Sequence, residues 1–272
     1  MVRERPGSSV QHRRSREEAL PWEDATQRVL DRVQVPVGAR CLDAGCGAGE
    51  STRLLLRRVG GTGRVYAVDV DEPLGREAVA VLRSEGHVGC RFALGDLEDD
   101  VSLPGAPYDV VLARNLLLHV AAPTVVLRRL WDLVAPGGQL VIQELDLTTT
   151  ESQPTLSSLE EWRRVVLGTY TAAGRDVRLG VHVPSLLERS GIGWPDGTDV
   201  TGRVDTLAGS AAMLAGVHYR LQPAAAALGV CDRASGEAWQ VWFARDVVTR
   251  GRHTVRWPLM VGAWRRRATG AP

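Results

Sequence analysis

The stretch LDAGCGAGES, residues 42–51, decides the fold of this chain. An apolar run ends at Asp43, three glycines follow at alternate positions, and a helical pattern begins near Ser51. Because glycine has no Cβ, the backbone of such a turn can pass close to a ligand. The stretch therefore predicts a strand, a ligand-binding turn and a helix in that order.

The glycine spacing indicates what kind of ligand the turn binds. A nicotinamide-binding turn reads G-x-G-x-x-G, whereas here Gly45, Gly47 and Gly49 are evenly spaced and an acid precedes them. This favours a ligand without a pyrophosphate. Taken alone, the same glycines are also typical of a tight turn that binds nothing.

Apolar runs alternate with helical patterns along most of the chain. Runs that are almost continuously apolar are typical of parallel strands covered by helices on both faces, so we expect an α/β, Rossmann-like, doubly wound sheet that is mostly parallel. The five strand-like runs are residues 39–44, 64–70, 90–94, 108–114 and 139–147, and two later ones are residues 198–206 and 256–266. Residues 1–18 are polar and predict a flexible tail, and residues 19–272 are expected to form a single domain.

Composition limits the partners of this chain. The 33 basic and 32 acidic residues are interspersed, so no uniform field favours nucleic acid or an anionic membrane, and we expect a small-molecule partner. No apolar run reaches the ~20 residues that span a bilayer. The four cysteines show no paired CxxC spacing, which favours a reduced, cytoplasmic setting.

Acidic residues follow two of the predicted strands. Asp69 ends the second strand, where a carboxylate can accept hydrogen bonds from both hydroxyls of a ribose. Asp96 follows the third strand, where an acceptor suits the exocyclic amine of adenine. A solvated acid at a strand end is the alternative for each.

Together, these residues resemble the class I methyltransferases that depend on S-adenosylmethionine (SAM), in the small-molecule, natural-product branch. The resemblance covers about residues 20–147 and the last strand. It implies SAM as cofactor and S-adenosylhomocysteine (SAH) as product. The cofactor contacts that it implies are Asp43, Gly45, Cys46, Gly47 and Gly49 at the methionine end, Asp69 and Val70 at the ribose, Gly95, Asp96 and Leu97 at the adenine, and Arg114 in a later motif.

The resemblance also implies seven strands in the order 3-2-1-4-5-7-6, with the seventh antiparallel. Residues 200–206 and 258–266 would be the sixth and seventh strands. Helical segments at about 150–195 and 207–250 would then form a lid over the acceptor, although extra packing is an equal alternative. A metal is not expected, because the sequence after the fourth strand has Arg114 and Asn115 where metal-dependent members have carboxylates.

Three residues are candidates for catalysis. His119 follows the fourth strand and can act as a base or serve packing. Glu144 ends the fifth strand and can face the pocket or stabilise it. His218, with Tyr219, lies in an Ala/Leu-rich lid helix and can touch the acceptor, although a solvated face is the favoured interpretation.

The predicted function is methyl transfer from SAM to a small molecule, most simply a secondary metabolite. Two alternatives stay open. The fold can serve a cyclase or pericyclase that uses SAM without reaction, or a SAM-binding protein without catalysis. A homodimer is also considered.

Overall fold

A computed structural model describes residues 22–99 and 103–269 of the chain. The predicted tail of residues 1–18 lies outside the described residues. The helices are α1 (Glu23–Val33), α2 (Glu50–Val59), α3 (Glu72–Ser84), α4 (Pro123–Asp132), α5 (Ser157–Ala172), α6 (Leu179–Arg189), α7 (Leu207–Ala227) and α8 (Arg233–Arg250). The strands are β1 (Arg40–Ala44), β2 (Arg64–Asp69), β3 (Cys90–Leu94), β4 (Tyr108–Arg114), β5 (Val134–Asp146), β6 (Glu151–Gln153), β7 (Gly197–Thr201), β8 (Val204–Thr206), β9 (Thr254–Arg256) and β10 (Leu259–Arg266).

The main sheet has seven strands in the order β3-β2-β1-β4-β5-β10-β7. Strands β1 to β5 pair in parallel, and β10 runs antiparallel to both β5 and β7. The predicted doubly wound, mostly parallel sheet is therefore confirmed. The strand order reverses direction between β1 and β4, and ligands of such sheets bind at the carboxyl ends of strands beside that reversal.

The prediction of one strand over residues 198–206 is wrong. Strand β7 ends at Thr201, and β8 joins a separate antiparallel sheet of order β6-β9-β8. The run predicted at 256–266 is divided in the same way, because Arg256 pairs in β9 and the main-sheet strand starts at Leu259. The break occurs at Arg203, whose carbonyl accepts a hydrogen bond from the Trp257 backbone N–H at 2.9 Å. Alternation along a sequence does not reveal which strand is the partner.

Helices cover both faces of the main sheet. Leu30 of α1, Leu55 of α2 and Leu82 of α3 pack in one buried cluster against Leu112 and Val141 of the sheet. A larger cluster on the opposite face contains apolar residues of α4 to α8. The sheet is thus buried on both faces, which explains its continuous apolar runs.

Buried hydrogen bonds fix α5, α7 and α8 to one another. The Trp162 indole of α5 donates to the Leu214 carbonyl of α7 at 2.8 Å, and the Trp239 indole of α8 donates to the Ser158 carbonyl of α5 at 2.8 Å. The Ser158 hydroxyl also donates to Asp246 at 2.5 Å. These bonds satisfy polar atoms that would otherwise be buried at a cost of ~1–3 kcal/mol each. They make the three helices one unit beside the sheet.

Two further findings concern the described residues. No helix among them has the length and apolar character to cross a membrane. All four cysteines are buried and unpaired.

Candidate functional site

The glycine turn connects β1 to α2. Asp43 is completely buried and accepts hydrogen bonds from the Ser51 hydroxyl at 2.8 Å and the Thr52 hydroxyl at 2.5 Å, so β1 is tied to the first turn of α2. Gly47 has a φ of 50°, and a Cβ added there would meet no atom within 4 Å. The turn therefore presents backbone to open space in a left-handed conformation that favours glycine.

Asp69 links the end of β2 to this turn. One of its carboxylate oxygens accepts the Gly47 N–H at 2.8 Å, and the other accepts the Asp71 N–H at 2.9 Å. Burial raises the pKa of Asp69, and these backbone hydrogen bonds oppose that rise. The structure thus brings together Asp69 and the glycine turn, which the sequence places 22 residues apart.

The end of β3 completes this edge of the sheet. The Gly95 N–H donates to the Asp69 carbonyl at 3.1 Å, and Asp96 accepts the Glu98 N–H at 3.0 Å. Val70 is 54% exposed and Leu94 is 53% exposed. Exposed apolar side chains on both sides of the two acids offer a surface for a flat apolar ring. Sequence reasoning missed Leu94, although its place as the apolar last residue of a strand was a usable signal.

Polar groups without protein partners lie where β1, β4 and β5 end. The Arg114 guanidinium donates to the Thr26 hydroxyl of α1 at 3.3 Å. Burial lowers the pKa of Arg114, and the charge of Asp43 opposes that effect. One carboxylate oxygen of Asp43, the amide oxygen of Asn115 and both amide atoms of Gln143 are buried with no hydrogen-bond partner among the described residues. Such atoms are uncommon in folded proteins and call for an explanation.

Glu144 contacts the loop that follows β4. Its carboxylate accepts the Leu117 N–H at 2.6 Å, and the side chain is only 1% exposed. Burial raises the pKa of Glu144 to about 8, although the backbone N–H groups of Leu117, Leu116 and Leu118 oppose the rise. Of the two roles left open by the sequence, this contact supports stabilisation of the pocket wall.

His119 lies in the same loop as Leu117. Its side chain is accessible to solvent, yet protein surrounds it closely enough that burial is the main cause of a pKa lowered to about 4. Arg220 and Arg175 lower it further. The ring of Tyr170 meets the imidazole edge-on, with centroids 6.1 Å apart. His119 is thus a neutral imidazole at pH 7 that contacts the ring of Tyr170 from α5.

Comparison with known proteins shows which family part of this chain resembles. The family model described as "Methyltransferase domain" matches residues 41–138. This part of the chain is thus similar to a methyltransferase domain. It is 34% identical over 142 residues to the 2-phytyl-1,4-naphtoquinone methyltransferase of Thermosynechococcus vestitus, covering 51% of this chain and 57% of that protein. It is 27% identical over 181 residues to methyltransferase GfsG of Streptomyces halstedii, covering 66% of this chain and 62% of that protein. The chain thus spans about three fifths of the length of these relatives.

The chain also resembles solved structures in its fold. The crystal structure of the [4+2]-cyclase SpnF superposes with a TM-score of 0.53 and 17% identity, covering 91% of this chain and 81% of that one. A likeness at this identity concerns the fold. It supports the seven-stranded arrangement of the whole chain, including the strands beyond residue 138.

The side chain of His218 is buried, not exposed to solvent. The expectation of a solvated face holds for Tyr219, which is 59% exposed, but is wrong for His218, which is fully buried. The imidazole stacks on Trp239 at 4.0 Å, and Trp239 stacks on Phe243 at 4.7 Å. Burial lowers the pKa of His218, and neither ring nitrogen has a partner among the described residues. His218 of α7 therefore packs against Trp239 of α8 and does not face an open surface.

A groove of about 710 Å³ lies between α7 and α8. Its walls come from α7 and α8 alone, with small residues such as Ala212, Gly216 and Ala244. None of the predicted cofactor contacts lines it. The loop that holds Leu116 and His119 adjoins the glycine turn, since a Cβ at Gly45 would lie 3.0 Å from the Leu116 side chain, so we take that region as the candidate site.

Sequence reasoning missed three polar residues of the candidate site, Thr26, Asn115 and Gln143. Gln143 had a signal, because it interrupts the apolar run of β5. Thr26 had none, since its role depends on where α1 packs. Among the described residues, no group of three or more His, Cys, Asp or Glu side chains can hold a metal ion.

Proposed function

We propose that this chain binds SAM at the carboxyl ends of β1 to β4 and transfers its methyl group to a small-molecule acceptor, in keeping with a role in secondary metabolism. The observation that carries the proposal is the hydrogen bond from the Gly47 N–H to Asp69, at 2.8 Å. It joins the turn and the ribose acceptor in one unit, as a nucleoside site requires.

The residues at this edge fit the cofactor. Asp69 offers carboxylate oxygens to a ribose, and Val70 and Leu94 offer apolar surface to an adenine beside Asp96, whereas Leu97 is buried in the core. Asp43, Arg114, Asn115 and Gln143 supply opposite charges and partnerless polar atoms, which suit the ammonium and carboxylate of the methionine end. Binding of the methionine end of the cofactor would thus give these buried atoms hydrogen-bond partners.

The bound cofactor would supply a methyl group on a positively charged sulfur, which a nucleophilic atom of the acceptor can attack directly. The protein then has to orient the acceptor and exclude water. We expect the lid unit of α5, α7 and α8 to orient the acceptor and to exclude water. Glu144 holds the loop of residues 116–118, which fixes the position of His119.

The surroundings of His119 favour a positioning role. An imidazole with a pKa of about 4 is too weak a base to take a proton efficiently from a phenol, whose pKa is ~10. The neutral ring can still accept a hydrogen bond from the acceptor. We therefore place His119 as an orienting group in the pocket.

The experiment measures SAH formed from SAM with a panel of hydroxylated aromatic acceptors. We expect SAH from the wild type and from Asp31→Ala, which removes an acid that is 71% exposed. Asp69→Ala should lower kcat/KM about 10- to 100-fold, because hydrogen bonds to a charged group are worth ~1.5–3 kcal/mol. Equal rates for Asp69→Ala and Asp31→Ala would contradict the proposed site.

The same experiment separates the alternatives. An acceptor converted to an isomer of equal mass without SAH would assign a cyclase, and SAM binding without any turnover would favour a non-catalytic binding protein. The absence of nucleic-acid partners, the cytoplasmic setting and the homodimer stay predictions.

A further inference from the structure

The outer side of helices α7 and α8 is apolar although it meets solvent. Of the 21 residues of α7, only Arg220 carries a formal charge at neutral pH. On α8, Val241 is 74% exposed and Val248 is 85% exposed, and Trp242 of the same helix and Tyr219 of α7 are exposed as well. A helix that is apolar on every side is normally buried on every side. This composition predicts that another surface covers the two helices.

The same surface has both a depression and projections. The groove of about 710 Å³ runs between the two helices and is lined by small residues, including Ala212, Gly216 and Ala244. Val248 borders this groove, and Val241 projects two turns earlier on the same helix. Such a face can pack on a second copy of itself, because each copy offers a groove to the projections of the other. Exposed apolar patches of this kind typically mark protein interfaces.

The exposed residues of α8 also have the spacing of a helix–helix contact. Ala234, Ala238, Val241, Arg245 and Val248 recur at intervals of four, three, four and three residues, and all of them are exposed. This spacing keeps them on one side of the helix, and it is the spacing by which one helix packs along another. The predicted partner surface therefore includes a helix.

The charges on this side of α8 fit an antiparallel contact with the same helix of a second copy. Glu237 and Arg245 lie before and after Val241 by four residues each, which is ~6 Å along the helix in either direction. With Val241 on the two-fold axis, Glu237 is level with the partner's Arg245. The Arg245 side chain has no hydrogen bond or ion pair within the described residues, whereas Glu237 contacts Arg233 in an exposed pair. A second copy thus supplies Arg245 with a carboxylate.

The face is large enough for a specific dimer. Helix α7 has 21 residues and α8 has 18 residues, so the two helices are ~27–32 Å long and cover a width of ~20 Å side by side. The projected area is therefore ~540 Å² per copy, or roughly 1,100 Å² for two copies. A specific protein interface needs about 1,000 Å² in total.

We propose that α7 and α8 form the interface of a homodimer, in which α8 packs antiparallel on α8 of a second copy with Val241 near the two-fold axis. The proposal does not depend on the proposed methyl transfer. Trp239 lines the groove and donates a hydrogen bond to the Ser158 carbonyl of α5. Dimer formation therefore also stabilises the lid unit of α5, α7 and α8.

Sedimentation velocity of the full chain, over a range of micromolar concentrations, tests this interface. We expect a dimer for the wild type, and Val241→Asp should weaken it at least about tenfold, because the variant buries a charge at the centre of the contact. Val88→Asp adds the same charge to a valine that precedes β3 and is 70% exposed, and its dimer should match that of the wild type. A wild type that is monomeric at every concentration would overturn the proposal. A monomer that binds 1-anilinonaphthalene-8-sulfonate would assign the groove to a small apolar ligand instead.

Cross-linking under mild oxidation tests the antiparallel orientation. Val241→Cys should give a disulfide-linked dimer, since residues at a two-fold axis face their own equivalents and the four native cysteines are buried. Val88→Cys should stay monomeric on a denaturing gel. Glu237→Arg and Arg245→Glu should each weaken the dimer, and the double variant should recover it. Equal cross-linking of Val241→Cys and Val88→Cys, or no recovery in the double variant, would overturn this arrangement.

Discussion

The cofactor edge and the acceptor pocket are built in different ways. At the cofactor edge, Gly47, Asp69 and Gly95 contact one another through backbone hydrogen bonds at the ends of neighbouring parallel strands. On the acceptor side, His119 of the β4 loop meets the ring of Tyr170, which comes from the distant helix α5, with centroids 6.1 Å apart. The first arrangement follows from local sequence, and the second follows only from how the lid helices pack.

Arg114 lies in the cofactor edge, and its loss should have the largest effect on stability. Arg114→Met removes the donor to the Thr26 hydroxyl and the positive charge that acts on the completely buried Asp43, so we expect the free energy of unfolding to fall by about 2 kcal/mol. Arg28→Met, which removes an exposed pair with Asp199, should cost under about 1 kcal/mol. Urea denaturation measures both, and equal losses would show that the charge of Arg114 near Asp43 is unimportant.

Gly47→Val tests the open side of the glycine turn. Valine in a left-handed conformation costs roughly 1–2 kcal/mol, and its side chain would occupy the space proposed for the cofactor. We expect SAH affinity to fall more than tenfold. Gly61→Val adds the same side chain where a Cβ meets no atom within 4 Å and φ is not left-handed, so its affinity for SAH should match that of the wild type. A wild-type Kd for Gly47→Val by calorimetry would place the cofactor elsewhere.

Glu144 connects the two regions, and its effect should depend on pH. Its pKa is raised to about 8 in the folded state, so the folded protein binds the extra proton between about pH 4.5 and 8. Stability should therefore decline as pH rises through this window, by at most ~1.4 kcal/mol per pH unit. Glu144→Gln should abolish that decline, which melting curves at pH 5, 6.5 and 8 would measure. An unchanged decline in the variant would mean that Glu144 is ionised when folded.

The smallest effect is expected in the acceptor pocket. His119→Asn keeps a hydrogen-bond acceptor, so kcat for methyl transfer should fall less than about tenfold, whereas removal of a general base typically costs ~10²–10⁴-fold. Steady-state kinetics at pH 7 measures the ratio. A loss of a hundredfold or more would make His119 the base and would contradict its positioning role.

The difference between the regions explains what the sequence could predict. Strands β1 to β5, the turn at Gly47 and the place of Asp69 depend on apolar runs and glycines within short segments, and these predictions agree with the structure. The burial of His218 could not be predicted. Helix α7 is rich in alanine and leucine all round, so no polar stripe shows which face packs on α8.

The same limit applies to long-range polar contacts. Thr26 meets Arg114 across 88 residues, and Gln143 becomes a candidate only because β5 pairs with the end of β4. The separate sheet of β6, β8 and β9 also depends on pairing between segments about 50 or more residues apart. Local pattern carries no information about such partners.

Calorimetric titration of the purified chain with SAH tests the central claim most directly, with NADH titrated in parallel. The account predicts that SAH binds one molecule per chain, that Asp69→Ala weakens this binding, and that NADH produces no binding heat. Binding of NADH in place of SAH would contradict it.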